Sequence, residues 1–193
     1  MKVEIVSATP NPMEVANLAA GLCYGKDNYS PKRVERCVRA GHNTVIEHCV
    51  VTFLAEGISR ACSHQLVRHR IASYNQESQR YCRYDLKGDD WYVTPPSQQD
   101  NKFFKNKVHQ DALLYLGALE AGTKPEDARF MLPECMKTRL IVTMNARSLF
   151  NFLNLRCDPA AQWEIRALAE EMERQVENIN DQWEQLLSFR KEA

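Results

Sequence analysis

Arg68-His69-Arg70 is the densest cationic point of the chain, and hydrogen-bonding side chains crowd the positions after it: Ser73, Asn75, Gln76, Ser78 and Arg80. Arginine carries a planar fork of donors that matches phosphate oxygens and imide carbonyls. Two arginines flanking a histidine cannot pair with one another. They need an anion, or several acidic residues, and only Glu77 lies close in sequence. A bare basic triplet is commonly a solvated helix end. A mere surface, however, does not require the polar residues packed in behind this one.

The pattern R-H-R, seven residues, then Ser (RHRIASYNQES, followed by QRY) resembles the signature of flavin-dependent thymidylate synthases. The likeness extends over most of the chain. Upstream, Gly41-His42-Asn43-Thr44-Val45-Ile46-Glu47-His48 resembles a GHxTxxEH segment. Downstream, Ala128–Pro133 (ARFMLP), Asn145–Leu149 (NARSL), Asn151–Arg156 (NFLNLR) and Ala161–Arg166 (AQWEIR) fit as well. Separated segments in the right order make chance agreement implausible.

The resemblance implies an FAD enzyme that methylates dUMP to dTMP, with methylenetetrahydrofolate as carbon donor and NADPH as reductant. It implies FAD contacts from Thr44, Arg68, His69, Arg70, Gln76, Asn145, Ala146, Arg147 and Asn151. It implies a nucleotide site formed by Gln65, Leu66, Val67, Arg68, Gln76, Glu77, Ser78, Gln79, Arg80, Arg129 and Arg156. Arg156 resembles the catalytic arginine placed against the uracil ring, and His42 is drawn toward the flavin site. Gln76 stands where some members carry glutamate, and an amide cannot carry charge. The family is homotetrameric with FAD sites shared between subunits, so the end of this chain is expected to be partly interfacial.

These assignments agree with elementary electrostatics. The chain holds 25 Lys+Arg against 25 Asp+Glu, so no global field steers it to nucleic acid or a membrane. Phosphates of dUMP and FAD therefore need local guanidinium groups. Arginine cannot act as a base, but it can stabilise negative charge developing on the uracil imide.

Other chemistries fit less well. Cys62 and Cys82 flank the motif but read as packing residues. Ser78 has no identifiable histidine-acid partner, which a nucleophilic serine needs. Cys62, His64, His69 and Cys82 match no zinc spacing, and no metal is expected. The sequence leaves the role of His48 open, and Trp163 and Trp183 read as core or interface anchors. A single-stranded nucleic-acid module would use Arg68–Arg70 with Arg80, Arg83, Tyr74, Tyr81 and Tyr84. Zero net charge and the lack of a nucleic-acid motif speak against it. A flavoprotein with another substrate is the rival enzyme.

The composition, 44% hydrophobic and 26% charged over 193 residues, is that of a soluble globular domain with a sizeable core. No apolar run approaches the roughly 20 residues that span a bilayer, and the N-terminus lacks a secretory pattern. Seven cysteines with no C-x-x-C pair read as reduced thiols of a cytoplasmic protein.

The elements that must position these residues can be outlined. Residues 2–7 alternate as a strand. Asn11-Pro12 and Ser30-Pro31 open two helices, the second ended by Gly41. Residues 49–55 read as a buried strand, and residues 58–70 as a helix with Ile58, Ala61, Cys62, Gln65 and Leu66 on one face. A short strand is expected near residues 79–85 and a strand end at 91–94. A helix follows from about 97 to 121, then a capping-box start at Thr123–Glu126. Residues 138–145 read as a strand and 146–156 as a helix. Asp158-Pro159 is expected to cap one long helix over residues 160–190. The reading is a single α+β domain over residues 1–193, a mixed sheet enclosed by helices.

Overall fold

The computed structural model describes residues 1–191; the last two positions of the expected domain lie outside the described residues. The strands are β1 (Lys2–Ala8), β2 (Val50–Ser59), β3 (Ser73–Gln76) and β4 (Lys137–Asn145). They form a four-stranded sheet in the order β1-β2-β4-β3. Every pairing is antiparallel, so the α+β class holds while the expected mixed sheet is replaced by an antiparallel one.

Alternation explains how the sheet is covered. In β2, Val51, Phe53 and Ala55 are fully buried, and they lie opposite Met144, Val142 and Leu140 of β4. Their neighbours Thr52, Leu54, Ile141 and Thr143 are half-buried on the other face. The helices thus cover one face rather than enclosing the sheet. Gly57 sits at φ 70° where the β2–β4 register shifts, a bulge that an L side chain would strain. The extra residue resets the alternation, and Ile58 returns to the buried face.

The helices are α1 (Pro12–Tyr24), α2 (Pro31–Arg39), α3 (Arg60–Leu66), α4 (Lys102–Glu120), α5 (Pro125–Ala128), α6 (Ala146–Arg156), α7 (Trp163–Glu177) and α8 (Asp181–Lys191). Proline occupies the first turn of α1 and α2 as expected. One core gathers the buried sheet face with α1, α2, α6, α7 and α8 around Met13, Phe152, Ile165 and Trp183. A second cluster packs Trp91, Tyr92, Leu86 and Met136 against Val108, Ala112 and Tyr115 of α4.

Several elements differ from the sequence reading. The stretch 58–70 is not one helix: Ile58 and Ser59 finish β2, and α3 ends at Leu66. Ser59 caps α3 by accepting the Cys62 N–H at 3.0 Å. At the other end, the Tyr74 hydroxyl lies 3.0 Å from the Leu66 carbonyl and 2.8 Å from that of His69. Those carbonyls are satisfied without a further helical turn, and Arg68–Arg70 leave the helix. Ala61 is exposed, off the shared face.

The short strand falls at Ser73–Gln76 instead of 79–85, because the free edge of β4 is there to be paired. Residues 91–94 contribute only a single bridge, Tyr92 with Met136. Lys124, not Thr123, stands at the N-cap of α5 and makes no side-chain bond. The expected long last helix is two. Gln162, not Asp158, caps α7. Asn180 interrupts the run, accepting the N–H groups of Gln182 and Trp183 at 3.1 and 3.0 Å. The break swings Trp183 into the core, where its indole N–H donates to the Thr9 carbonyl at 2.9 Å.

Candidate functional site

The termination of α3 at Leu66 delivers Arg68, His69 and Arg70 to a turn, and that turn faces α6 across a cavity of about 810 Å³. Arg68, Arg70, Arg147, Arg156 and Arg190 all line it, together with His69, Asn151 and Asn154, and no carboxylate does. Helix α6 exists here because Asn145 ends β4 and caps it, accepting the Ser148 N–H at 2.9 Å. Arg147 and Arg156 stand at its two ends, separated by nine residues or about 13 Å of helix axis. That span suits an extended ligand.

Two of the five guanidinium groups have acidic partners. Arg147 bonds the Glu47 carboxylate at 2.5 Å, and Arg190 pairs with Glu173. Among the described residues no carboxylate pairs with Arg68, Arg70 or Arg156. Uncompensated like charge at a concave surface concentrates anions. Arg156 donates from Nε to Nε2 of His69 at 3.1 Å. Burial, and then the Arg156 charge, hold His69 below its ordinary 6.5, so the ring is neutral at neutral pH.

The expected cofactor residues do not all meet this cavity. Arg68, His69, Arg70, Arg147 and Asn151 line it. Thr44 is exposed beside it, next to the lining residue Asn43. The Asn145 side chain is engaged as a helix cap, and it lines a smaller cleft of about 330 Å³ with Glu47 and Ile71. Ala146 is fully buried, which leaves its side chain no ligand contact, and its N–H donates to the Cys49 carbonyl at 2.7 Å. Gln76 is tied between α3 and β4, donating to Ser63 Oγ at 2.9 Å and to Thr138 Oγ1 at 3.1 Å.

The expected nucleotide residues divide further. Arg68 and Arg156 line the cavity; the rest do not. Leu66 is fully buried in the core, so a substrate contact through its side chain is excluded. Glu77 bonds Arg139 at 2.8 Å, and Gln79 reaches Met136 Sδ at 3.3 Å. Arg80 pairs with Glu126 at 2.7 Å, and Arg129 donates to the Glu126 carbonyl at 2.9 Å. Ser78 accepts the Arg80 N–H at 3.2 Å and has no base beside it. Gln65 and Val67 flank Leu66 at the end of α3 with partly or well exposed side chains. Arg80, Arg129 and the Ser78 turn thus form a second basic cluster around Glu126, apart from the arginine cavity.

Sequence reasoning missed Asn43, Ser148, Asn154 and Arg190, as well as the role of Glu47 as partner of Arg147. Glu47, Asn43, Ser148 and Asn154 lay inside the quoted motifs. Arg190 had no local signal, because only the turn between α7 and α8 brings it back to α6.

None of the cysteines lines the arginine cavity. Cys62 is fully buried with its thiol pushed up to about 12, chiefly by burial. Cys157 is raised to about 11 for the same reason. Among the described residues no group of three or more His, Cys, Asp or Glu side chains is placed to hold a metal ion. No helix there is long and apolar enough to cross a membrane. Of the aromatics that a strand-binding surface would need, Tyr74 is tied to the α3 end and Tyr84 packs toward Tyr115.

A concave site rich in unpaired guanidinium groups, on an antiparallel α+β scaffold, defines a binder of extended, multiply anionic ligands. Comparison with known proteins makes this specific. Residues 4–180 match the family described as "Thymidylate synthase complementing protein". A flavin-dependent thymidylate synthase of Geobacter sulfurreducens is 44% identical over 93% of this chain and 83% of its own length. One from Pyrococcus furiosus is 39% identical over 94% of this chain and 81% of its own. The crystal structure of thymidylate synthase X from Helicobacter pylori, with FAD and dUMP, superposes at TM-score 0.81 and 26% identity over 99% of this chain and 100% of that one. The chain belongs to the flavin-dependent thymidylate synthase family.

Proposed function

We infer that this protein makes dTMP from dUMP by reductive methylation, with FAD held in the arginine cavity. The observation that carries the reading is the cavity wall itself, where Arg68, Arg70 and Arg156, without carboxylate partners, share one concave surface with Arg147, Asn151 and neutral His69.

The cavity fits a flavin dinucleotide on its own chemistry. Three lining residues carry buried polar atoms that lack a partner: Asn43 Oδ1, Ser148 Oγ and Arg190 Nε. Such atoms are costly unless a ligand or ordered water completes them. Arg68, Arg70 and Arg147 would neutralise the two phosphates, and Asn151 would offer an amide to the ring system. Reduced flavin supplies hydride chemistry, NADPH being the reductant and methylenetetrahydrofolate the carbon donor.

The protein's own part is placement and charge. Arg156, with its Nε held by His69, keeps its two terminal nitrogens for the uracil imide, where negative charge develops as the ring is attacked. Water exclusion falls to the apolar lining, Val38, Met144, Phe150 and Leu155. Asn145 and Gln76 act through the backbone and side chains they fix and Ala146 through its backbone, while Thr44, exposed beside the cavity, stays free for direct contact with the cofactor.

The second basic cluster supports an assembled site. Arg80 and Arg129 belong to the nucleotide set yet do not line the cavity that holds Arg156. A second copy of the chain would bring the Ser78–Arg80 turn and Arg129 to the first copy's Arg156. We take the protein as a homotetramer of single-domain subunits with shared sites, working in the cytoplasm. The deciding experiment is dTMP formation from dUMP with FAD, NADPH and methylenetetrahydrofolate. A purified protein that takes up no FAD and makes no dTMP, but binds oligonucleotides in a salt-dependent way, would overturn the reading.

A further inference from the structure

We infer that His69 is the positioning residue of Arg156: its unprotonated ring nitrogen grips one edge of the guanidinium and aims the remaining nitrogens into the cavity. This rests on the reading of Arg156 as the group that addresses uracil.

The contact has only one chemical form. An arginine Nε–H donates and never accepts, so Nε2 of His69, 3.1 Å away, must present its lone pair. The ring proton then sits on Nδ1, and the imidazole is neutral. The ring is itself immobilised. It packs edge-on against Phe152, centroids 4.9 Å apart at 84°. Its backbone is pinned on both sides, N–H to the Leu66 carbonyl at 3.1 Å and C=O to the Tyr74 hydroxyl at 2.8 Å. Phe152 and Arg156 are four residues apart on α6 and share a face, so one ring touches both. A long side chain with many rotamers is thereby reduced to one presentation.

The charges around the ring make the contact sensitive to protonation. Arg68 and Arg70 flank it on its own turn. From α6 come Arg156 and Arg147, the latter paired with Glu47; from α8 comes Arg190, paired with Glu173. Arg156 and Glu164 of α7 both act electrostatically on Cys62 of α3, a neutral thiol. The residues that α2 and β4 present to the cavity, Val38 and Met144, are uncharged, as is Ala72 beside the turn. No carboxylate among the lining residues compensates a second positive charge here. Protonated His69 would lose its acceptor and set a cation against a cation, releasing Arg156. An acid-side fall in kcat is therefore expected from this pair, wherever the charge of bound ligands sets its midpoint.

The test uses the FAD-loaded enzyme. Nitrogen-15 NMR of the wild-type imidazoles should place the His69 proton on Nδ1 at neutral pH and follow its titration. The kcat for dTMP formation should fall toward acid with the same midpoint. His69→Gln keeps an acceptor that does not titrate, and it should lose that acid limb while differing from wild type in plateau. His69→Ala should lower the neutral-pH plateau of kcat about tenfold or more, the range for a lost hydrogen bond to a charged group, with the deficit shrinking toward acid where the wild-type contact is already broken, and with a smaller change in KM for dUMP. An Nε2–H tautomer in the wild type, or an acid limb surviving unchanged in folded, flavin-loaded His69→Gln, would overturn the assignment. If the variants fail to hold FAD, the wild-type tautomer and titration still decide it. Near-normal turnover by Arg156→Lys would instead sink the role of Arg156, leaving the hydrogen-bonded pair to be judged by NMR alone.

Discussion

Ser59 and Glu164, 105 residues apart in sequence, are joined by two buried hydrogen bonds: the carboxylate accepts the Ser59 N–H at 2.7 Å and the Ser59 hydroxyl at 2.6 Å. The same hydroxyl oxygen accepts the Cys62 N–H and so caps α3. One side chain of α7 thus fixes the point where β2 turns into the helix that delivers Arg68, His69 and Arg70. Arg156 is carried by α6, which packs beside α7. The relative placement of the two arginine-bearing segments is held by a group that does not line the arginine cavity.

Glu164→Ala should therefore destabilise the fold by about 2–3 kcal/mol, since it leaves the Ser59 N–H buried without a partner. Glu164→Gln keeps an acceptor and should cost roughly half as much. Urea unfolding monitored by circular dichroism measures both. A change within about 0.5 kcal/mol for the alanine variant, the range of ordinary surface substitutions, would show that the pair does not carry this junction. FAD affinity should fall with the same ranking.

Arg156→Lys should impair dTMP formation severely while FAD remains largely bound. Lysine keeps the charge but has neither the planar fork nor an Nε–H for His69. Flavin absorbance reports occupancy, and product formation reports turnover. Near-parent turnover would remove Arg156 from the reaction.

Subunit sharing has a complementation signature. Arg68 and Arg147 line one cavity of one chain, so inactive variants of these two are the wrong pair to mix. Arg80→Ala or Arg129→Ala mixed with Arg156→Ala is the informative combination. After dissociation and reassembly, hybrids should regain part of the activity, because some sites would then combine intact groups from both chains. Confirmed hybrids without recovery would count against a nucleotide site split in this way.

No thiol should be required. Replacing Cys62, Cys82, Cys135 or Cys157 singly by Ala or Ser should cost about 1–3 kcal/mol of stability where the site is buried. Each folded, flavin-loaded variant should still make dTMP within about tenfold of the parent, or about 1.4 kcal/mol in the barrier. The raised thiols of Cys62 and Cys135, about 12 and 11, are poor sources of thiolate at neutral pH. Loss of dTMP synthesis in one variant, with flavin reduction by NADPH intact, would identify a nucleophilic cysteine.

Much of the site was legible in the chain because its motifs are short and local. Arg68-His69-Arg70 reads as an anion site from residue type and spacing, Asn145-Ala146-Arg147 enters through the family resemblance, and the structure brings the first triplet and Arg147, but not the Asn145 or Ala146 side chains, to one cavity. The helices opened by Asn11-Pro12 and Ser30-Pro31, the strand ending at Asn145 and the helix ending at Arg156 follow from caps, prolines and periodicity, which act within a few residues. What depended on distant partners was not legible. Strand β3 forms where β4 offers a free edge; α3 stops where the Tyr74 hydroxyl meets the Leu66 carbonyl; the last helix breaks where Asn180 and the Trp183 pocket favour a turn over continued helix. The same reason separates Arg80 and Arg129 from Arg156, and brings Arg190 to a cavity that no local pattern announces. Local sequence determined which residues could bind an anion. Only the packing of α6, α7 and α8 against the sheet decided which of them face the same one, because that choice is made by contacts between residues tens of positions apart.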